Sequence, residues 1–255
     1  MPTLTVPSRF NGPPASGQGG YSAGALAAHL GGPAAVSLRR PVPLDEALEV
    51  RADDDEGDGG QGPRRDDDGA SEIDATIAVR AIDAAGELVI EAVAAPPLAP
   101  WDARPVSLGA ARAATECFVA PGDGTFDHCF VCGRARHDGF CVFPGPVAGT
   151  DLVAAPWTPP DWAADADGAV LPEFVWAALD CPGYFSLHGA DPIVAFLARQ
   201  QSQIISPPRA GVEHVVVGRP LGRSGRKGFA ATAILDPAGT VLAHSEQLLI
   251  VPREA

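Results

Sequence analysis

Nowhere in this chain do roughly eighteen uncharged apolar residues run together, which excludes an ordinary membrane-spanning helix. The opening MPTLTVPSRFNGPP lacks a charged segment followed by an apolar one. No secretory leader is therefore expected, and the expected compartment is the cytoplasm. Positive charge is scarce: 18 Lys and Arg stand against 32 Asp and Glu, a net −14. That balance disfavours long-range attraction to nucleic acid or to an anionic membrane. There is no GxSxG, no phosphate-binding loop and no dinucleotide fingerprint between a strand and a helix, which removes the common hydrolase, kinase and dehydrogenase readings. The cysteines are Cys117, Cys129, Cys132, Cys141 and Cys181. An odd number in a chain expected to be cytosolic argues against a disulfide framework.

What is present suits a packed core, with 46% apolar and 20% charged residues. The 29 Gly and 26 Pro fall between hydrophobic runs, so they read as turns rather than as disorder. Residues 51–70 hold eight acids and three Arg with almost no apolar side chains, and read as a solvated loop. The opposite bias lies near the end, where Arg209, Arg219, Arg223, Arg226 and Lys227 face only Glu213. A basic patch in an acidic protein invites a small anion.

Length allows one large domain or two smaller ones, and the pattern favours two. The first half has a helix rich in small residues, YSAGALAAHL, closed by Gly31-Gly32. Strand-like runs follow in AAVSLRRPVP, ALEVRA, IDATIAVRAID and ELVIEAVAA, with a DAAG turn before the last. The second half repeats the plan: CVFPG and DLVAAPW as strands, LPEFVWAALDCPGYFSLHG as a helix, then AFLARQQSQII, EHVVVGRPLGRSGRKGFAATAILD and, after a PAGT turn, VLAHSEQLLIVP. Two α+β units of the same order point to an internal duplication. The expected division is an N-terminal unit over 1–100, a linker with a connecting helix over 101–127, and a C-terminal unit over 128–255.

Chemistry concentrates at few places. Asp180 follows the apolar run Phe174 to Leu179, so the second helix carries a carboxylate into buried surroundings, where its pKa rises. Such a group can act as general base or as nucleophile; its plainer reading is a capping Asp. Pro182 withholds an N–H from the Ala178 carbonyl, so the helix is expected to kink or end beside Asp180. Cys129, Cys132, His137 and Cys141 form C-x2-C-x4-H-x3-C, a spacing able to close a zinc site, with His128 as a further ligand. The rival reading is a tight turn at Gly133 with the cysteines packed as small hydrophobes. Gln201 and Gln203 alternate along a strand and are candidates for polar groups in a ligand cleft. Trp157, Trp162 and Trp176 read as core or groove walls.

The phrases GGYSAGALAAHLG and VSLRRPVPLDEALEV, and more sharply CFVCGRARHDGF, FVWAALDCPGYF and GRPLGRSGRKGFAATAILDPAGTVLAHSEQLLIVP, resemble double hot dog proteins of the thioesterase-like superfamily. The resemblance spans nearly the whole chain apart from 51–70. It implies an α+β fold in which two hot dog units, each a central helix wrapped by a curved antiparallel sheet, sit in one chain as a pseudo-dimer. Whether that chain pairs further into a homodimer stays open. It implies an acyl thioester, usually of coenzyme A, as small-molecule partner, with no cofactor beyond the coenzyme A of the substrate; no metal, no nucleic acid and no membrane are expected as partners.

By the same resemblance Asp180 stands where such thioesterases carry their catalytic acid. Catalytic members place a His-Gly-Gly-like turn shortly before that acid, its backbone N–H polarising the thioester carbonyl. Here that place reads Leu171-Pro172-Glu173, while the first half offers Gln18-Gly19-Gly20 at a helix start and Ala27 at the place matching the acid. One half keeps the acid and the other the donor turn, and the two are expected to converge. Arg219, Arg223, Arg226 and Lys227 are candidates for the coenzyme A phosphates, against a plain reading as edge-protecting hairpin charges. Hydrolysis is the leading expectation. A non-catalytic acyl-CoA binding or sensing protein, an enoyl-thioester hydratase of the same fold and, more distantly, a zinc-bearing interaction module are the alternatives.

Overall fold

Turn chemistry sets the strand pairs. In the DAAG turn Asp83 Oδ1 accepts from the Ala85 and Glu87 N–H groups, and in the DPAG turn Asp236 Oδ1 accepts from those of Ala238 and Thr240. Both turns place glycine at positive φ, Gly86 at 82° and Gly239 at 88°. The same device thus closes a hairpin in each half of the chain.

The computed structural model describes residues 2–52, 78–187 and 194–253. Its first half comprises β1 (Thr3–Thr5), α1 (Gly19–Ala27), β2 (Ala34–Leu38), β3 (Ala47–Ala52), β4 (Ala78–Ile82) and β5 (Leu88–Ala94). After α2 (Leu108–Glu116) come β6 (Gly145–Pro146), β7 (Val153–Trp157), α3 (Pro172–Ser186), β8 (Phe196–Ile204), β9 (His214–Ser224), β10 (Lys227–Leu235) and β11 (Val241–Ile250). All but the first two residues of the acidic segment 51–70 lie outside the described residues.

The described strands form one antiparallel sheet of eleven, in the order β1-β3-β4-β5-β2-β8-β11-β10-β9-β7-β6. The two halves join where β2 pairs with β8, from Ala34 opposite Ser202 to Ser37 opposite Arg199. Residues 141–145, expected as a strand, hardly enter the sheet. Only Gly145–Pro146 pair, with Val153 and Ala154. The stretch before them is spent instead on the first half: Phe130 N–H donates to the Asn11 carbonyl at 2.7 Å, and Arg136 Nη1 to Asn11 Oδ1 at 2.9 Å.

The two central helices pack antiparallel against each other on the sheet. Gly20 approaches Trp176 and Asp180, and Gly24 approaches Glu173 and Trp176. A Cβ on Gly20 would stand 2.5 Å from the Trp176 carbonyl oxygen, and one on Gly24 would stand 2.7 Å from Glu173 Cα. Glycine at this i, i+4 pair is what lets the backbones meet. The helix does not end at Pro182, for α3 runs on to Ser186 and is buried from Phe174 to Phe185. Sheet side chains support two of its carbonyls in the turn before the acid: Gln200 Nε2 donates to Trp176 O at 3.2 Å and Gln247 Nε2 to Leu179 O at 2.8 Å. Packing and these bonds outweigh one missing backbone bond.

The main core lies between the helices and the sheet, around Leu26, Ile90, Trp157, Leu179, Ile234 and Leu249. A smaller apolar layer, including Ala111, Leu152, Val215 and Leu235, fills the other face of the sheet beneath α2. The start of β9 is consequently buried on both faces, from His214 to Gly218, which explains its continuous apolar run.

Candidate functional site

The start of α1 is organised by Gln18. Its side-chain Oε1 accepts from the Tyr21 N–H at 2.6 Å, capping the helix. With the oxygen so engaged, the amide nitrogen turns the other way and donates to Asp180 Oδ2 at 2.6 Å. The Gly20 N–H donates to the same oxygen at 2.9 Å. Two donors from the first half of the chain thus hold the one carboxylate that α3 buries. The Gly19 N–H has no acceptor among the described residues.

Burial raises the Asp180 pKa from 3.8 to about 7; the Gly20 N–H pulls it back, and negative charge on Cys129 pushes it up further. Near neutrality both protonation states are therefore available, the condition a general base needs. Asp180 opens on a cavity of about 580 Å³ whose wall is mostly apolar and includes Gln18, Gly19, Leu38, Phe126, Tyr184 and Leu197. That volume accommodates an organic ligand of ordinary size.

Gln18, Gly19, Gly20 and Asp180 are brought together. Arg223, Arg226 and Lys227 line a small cleft that shares Tyr184, Ala195 and Leu249 with the large cavity, so the basic hairpin tip borders its mouth. Arg219 is held elsewhere, paired with Asp102 at 2.6 Å and stacked over Trp101 at 4.9 Å. Gln201 and Gln203 do not face the cleft. Gln201 Nε2 donates to Pro96 O at 2.8 Å, and Gln203 Oε1 accepts from the Leu98 N–H at 3.1 Å, both tethering the inter-unit linker. Strand alternation gives the helix side to Gln200 and Ser202 instead.

The metal spacing also resolves differently. His137 and Cys141 are exposed, whereas Cys129 and Cys132 are buried beside Cys181, their three sulfurs within 4.8 Å of one another. All three cysteines line the cavity. Sequence reasoning also passed over Arg39 and Arg40, which lie on the cavity wall and are ion-paired with Glu91 and Glu87. Their double-Arg step in VSLRRPVP was the available signal.

No family model matches the chain, and no curated protein matches it as a relative. Solved structures do match along nearly its whole length. A protein of unknown function with the hot dog fold from Alicyclobacillus acidocaldarius is 13% identical, covers 99% of this chain and 93% of its own, and gives a TM-score of 0.60. A protein from Novosphingobium aromaticivorans, provisionally named a thioesterase, is 14% identical with coverage of 98% and 94% and a TM-score of 0.61. The tesB protein of Mycobacterium avium subsp. paratuberculosis is 12% identical with coverage of 98% and 91% and a TM-score of 0.56. This chain has the hot dog fold, with two units joined in one sheet. No helix among the described residues is long and apolar enough to cross a membrane.

Proposed function

We propose that the protein hydrolyses an acyl thioester, with coenzyme A as the thiol. The observation that carries this reading is the Asp180 carboxylate, buried at the cavity wall and aimed by Gln18 and Gly20 from the other half of the chain. A full-length fold match to a protein provisionally named a thioesterase supports the same class, as an analogy of fold.

In this mechanism ionised Asp180 takes a proton from water as that water attacks the thioester carbonyl, or attacks the carbonyl itself. The Gly19 N–H, which has no acceptor among the described residues, serves the developing oxyanion. The thiol then leaves as its sulfur takes up a proton, which Asp180 returns in the water route. In the direct route the thiolate takes its proton from solvent, and water then cleaves the acyl–Asp180 anhydride to the free acid and the Asp180 carboxylate. Arg223, Arg226 and Lys227 bind the coenzyme A phosphates outside the cavity, and its apolar wall takes the acyl group.

Thiol release from acetyl-, isobutyryl-, benzoyl- and palmitoyl-CoA tests this, with Asp180→Asn and calorimetry of coenzyme A binding alongside. Release by the wild type that disappears in the variant, with coenzyme A still bound, is expected. Absence of release from every substrate overturns hydrolysis. Binding without turnover would instead establish the sensing reading, which one feature favours: the Gly20 N–H, at the place of a carbonyl-polarising donor, already serves Asp180. The hydratase reading asks for a histidine beside the acid, and among the described residues none lines the cavity.

A further inference from the structure

We propose that Cys129, Cys132 and Cys181 bind a thiophilic divalent metal ion, Zn2+, on the wall of the large cavity, with the fourth coordination position left to water. The inference stands apart from the hydrolase reading and needs no substrate.

The first observation is spacing. Zinc–sulfur bonds of ~2.3 Å place tetrahedral thiolates about 3.8 Å apart. Cys129 Sγ and Cys181 Sγ lie 4.0 Å apart, and no two of the three sulfurs are more than 4.8 Å apart. An ion at the centre of a triangle with the longest of those sides would lie about 2.8 Å from each sulfur, so closure asks each to move about 0.5 Å. Small side-chain rotations supply that.

The second is the Cys129–Gly133 loop. The Gly133 N–H closes the turn on Cys129 O at 2.9 Å. Glycine is required there, since a Cβ would stand 2.6 Å from both Cys129 N and Cys129 O. With that turn fixed, Cys129 and Cys132 lie on the same cavity wall as Cys181, their sulfurs in one cluster with its own.

The third is the donor set. Three sulfurs from two distant segments suit zinc rather than a hard cation. Metal binding displaces the thiol protons, and the dication offsets the negative charge gathered in a buried place. Asp180 is not counted as a ligand, because Gln18 and Gly20 already hold its Oδ2. Three protein ligands beside an open cavity is the arrangement of a reactive rather than a closed structural site.

The test is metal content of the untagged full chain, purified reduced and without chelator from zinc-supplemented medium. About one zinc per chain is expected in the wild type and in Cys141→Ser, falling to roughly a tenth or less in Cys129→Ser and Cys181→Ser. Because those variants could fail to fold, a second measurement uses the wild type. Chelation should release zinc together with three newly titratable thiols, and added Co2+ should then restore a thiolate-to-metal charge-transfer band. Wild-type protein with under about a tenth of an equivalent and no cobalt band after reduction overturns the proposal. So does zinc retained by Cys181→Ser but lost from Cys141→Ser, or an as-isolated Cys129–Cys132 disulfide whose reduced form binds no metal.

Discussion

A methyl group added at Gly24 tests whether the two central helices meet backbone to backbone. On a helix face with room, Gly→Ala stabilises by ~1 kcal/mol, because alanine has the better helix propensity. Here the new Cβ would stand 2.7 Å from both Glu173 Cα and Trp176 Cβ, and 2.9 Å from Trp176 Cγ. Two of those atoms belong to a buried ring residue and one to the α3 backbone, so none can swing aside. Overpacking of this kind costs ~3 kcal/mol at the upper end of its usual range, leaving a net loss of about 2 kcal/mol. For a chain of this size that lowers the melting temperature by about 4–8 °C. Gly20→Ala carries the same insult to the Trp176 carbonyl, at 2.5 Å, and adds one to Asp180 Cβ at 2.8 Å. Gly24→Ala should therefore lose stability and largely keep hydrolysis when assayed cold, and Gly20→Ala should lose both. Thermal melts of the two variants decide it. An unchanged or raised melting temperature in Gly24→Ala refutes the close approach, and with it the account of how Asp180 is presented.

Three further outcomes are expected. Asp180→Asn removes the proton acceptor and should lower kcat by ~10²- to 10⁴-fold in the thiol-release assay, with coenzyme A affinity little changed. Arg223→Ala combined with Arg226→Ala should raise KM for acyl-CoA roughly tenfold or more at unchanged kcat, and should leave a phosphate-free pantetheine thioester unaffected, read from steady-state kinetics at two salt concentrations. His214 is buried against Trp157, and desolvation holds its pKa below the ordinary 6.5 despite its contact with the Arg209 backbone. A depressed folded-state pKa means the unfolded chain takes the proton first. Stability is full above about pH 6.5 and falls as the pH drops toward the folded-state value, and melts of His214→Gln should show a shallower acid limb.

How far the site could be read from sequence depended on whether local spacing was enough. The duplicated hairpins were legible because DAAG and DPAG each carry their own turn chemistry. Asp180 was legible because a charge after Phe174 to Leu179 conflicts with its surroundings, and Gln18-Gly19-Gly20 because it precedes a helix of small residues. The cysteine site was not legible. Cys141 is near Cys132 in sequence, but the chain turns away after Phe140, while Cys181 arrives on α3 from another segment altogether. Gln201 and Gln203 failed by a single step of strand parity, which inverts every assignment at once. Arg219 failed by distance: at ~3.3 Å per strand residue it lies about 13 Å from Arg223 along β9, far enough to belong to the linker side of the sheet.

Duplication alone would give two equivalent sites, one at each end of the antiparallel helix pair. Their residues show why one end is left. At the first, the α1 start supplies Gln18 and Gly20, and α3 answers with Asp180. At the second, the α3 start is Leu171 without a side-chain cap, followed by Pro172, which has no N–H to offer. The position of α1 that answers it is Ala27, with no carboxylate. Beside the α1 start rings gather: Phe10 stacks on Tyr21 at 4.4 Å, and Phe130 and Phe174 reach Phe10 at 4.9 and 5.5 Å. Aromatic packing of this sort contributes stability to the helix pair beside the cavity. The two ends of the helix pair are therefore not equivalent. One keeps a buried carboxylate, three cysteines and a cavity, and the other has lost both the acid and the donor turn.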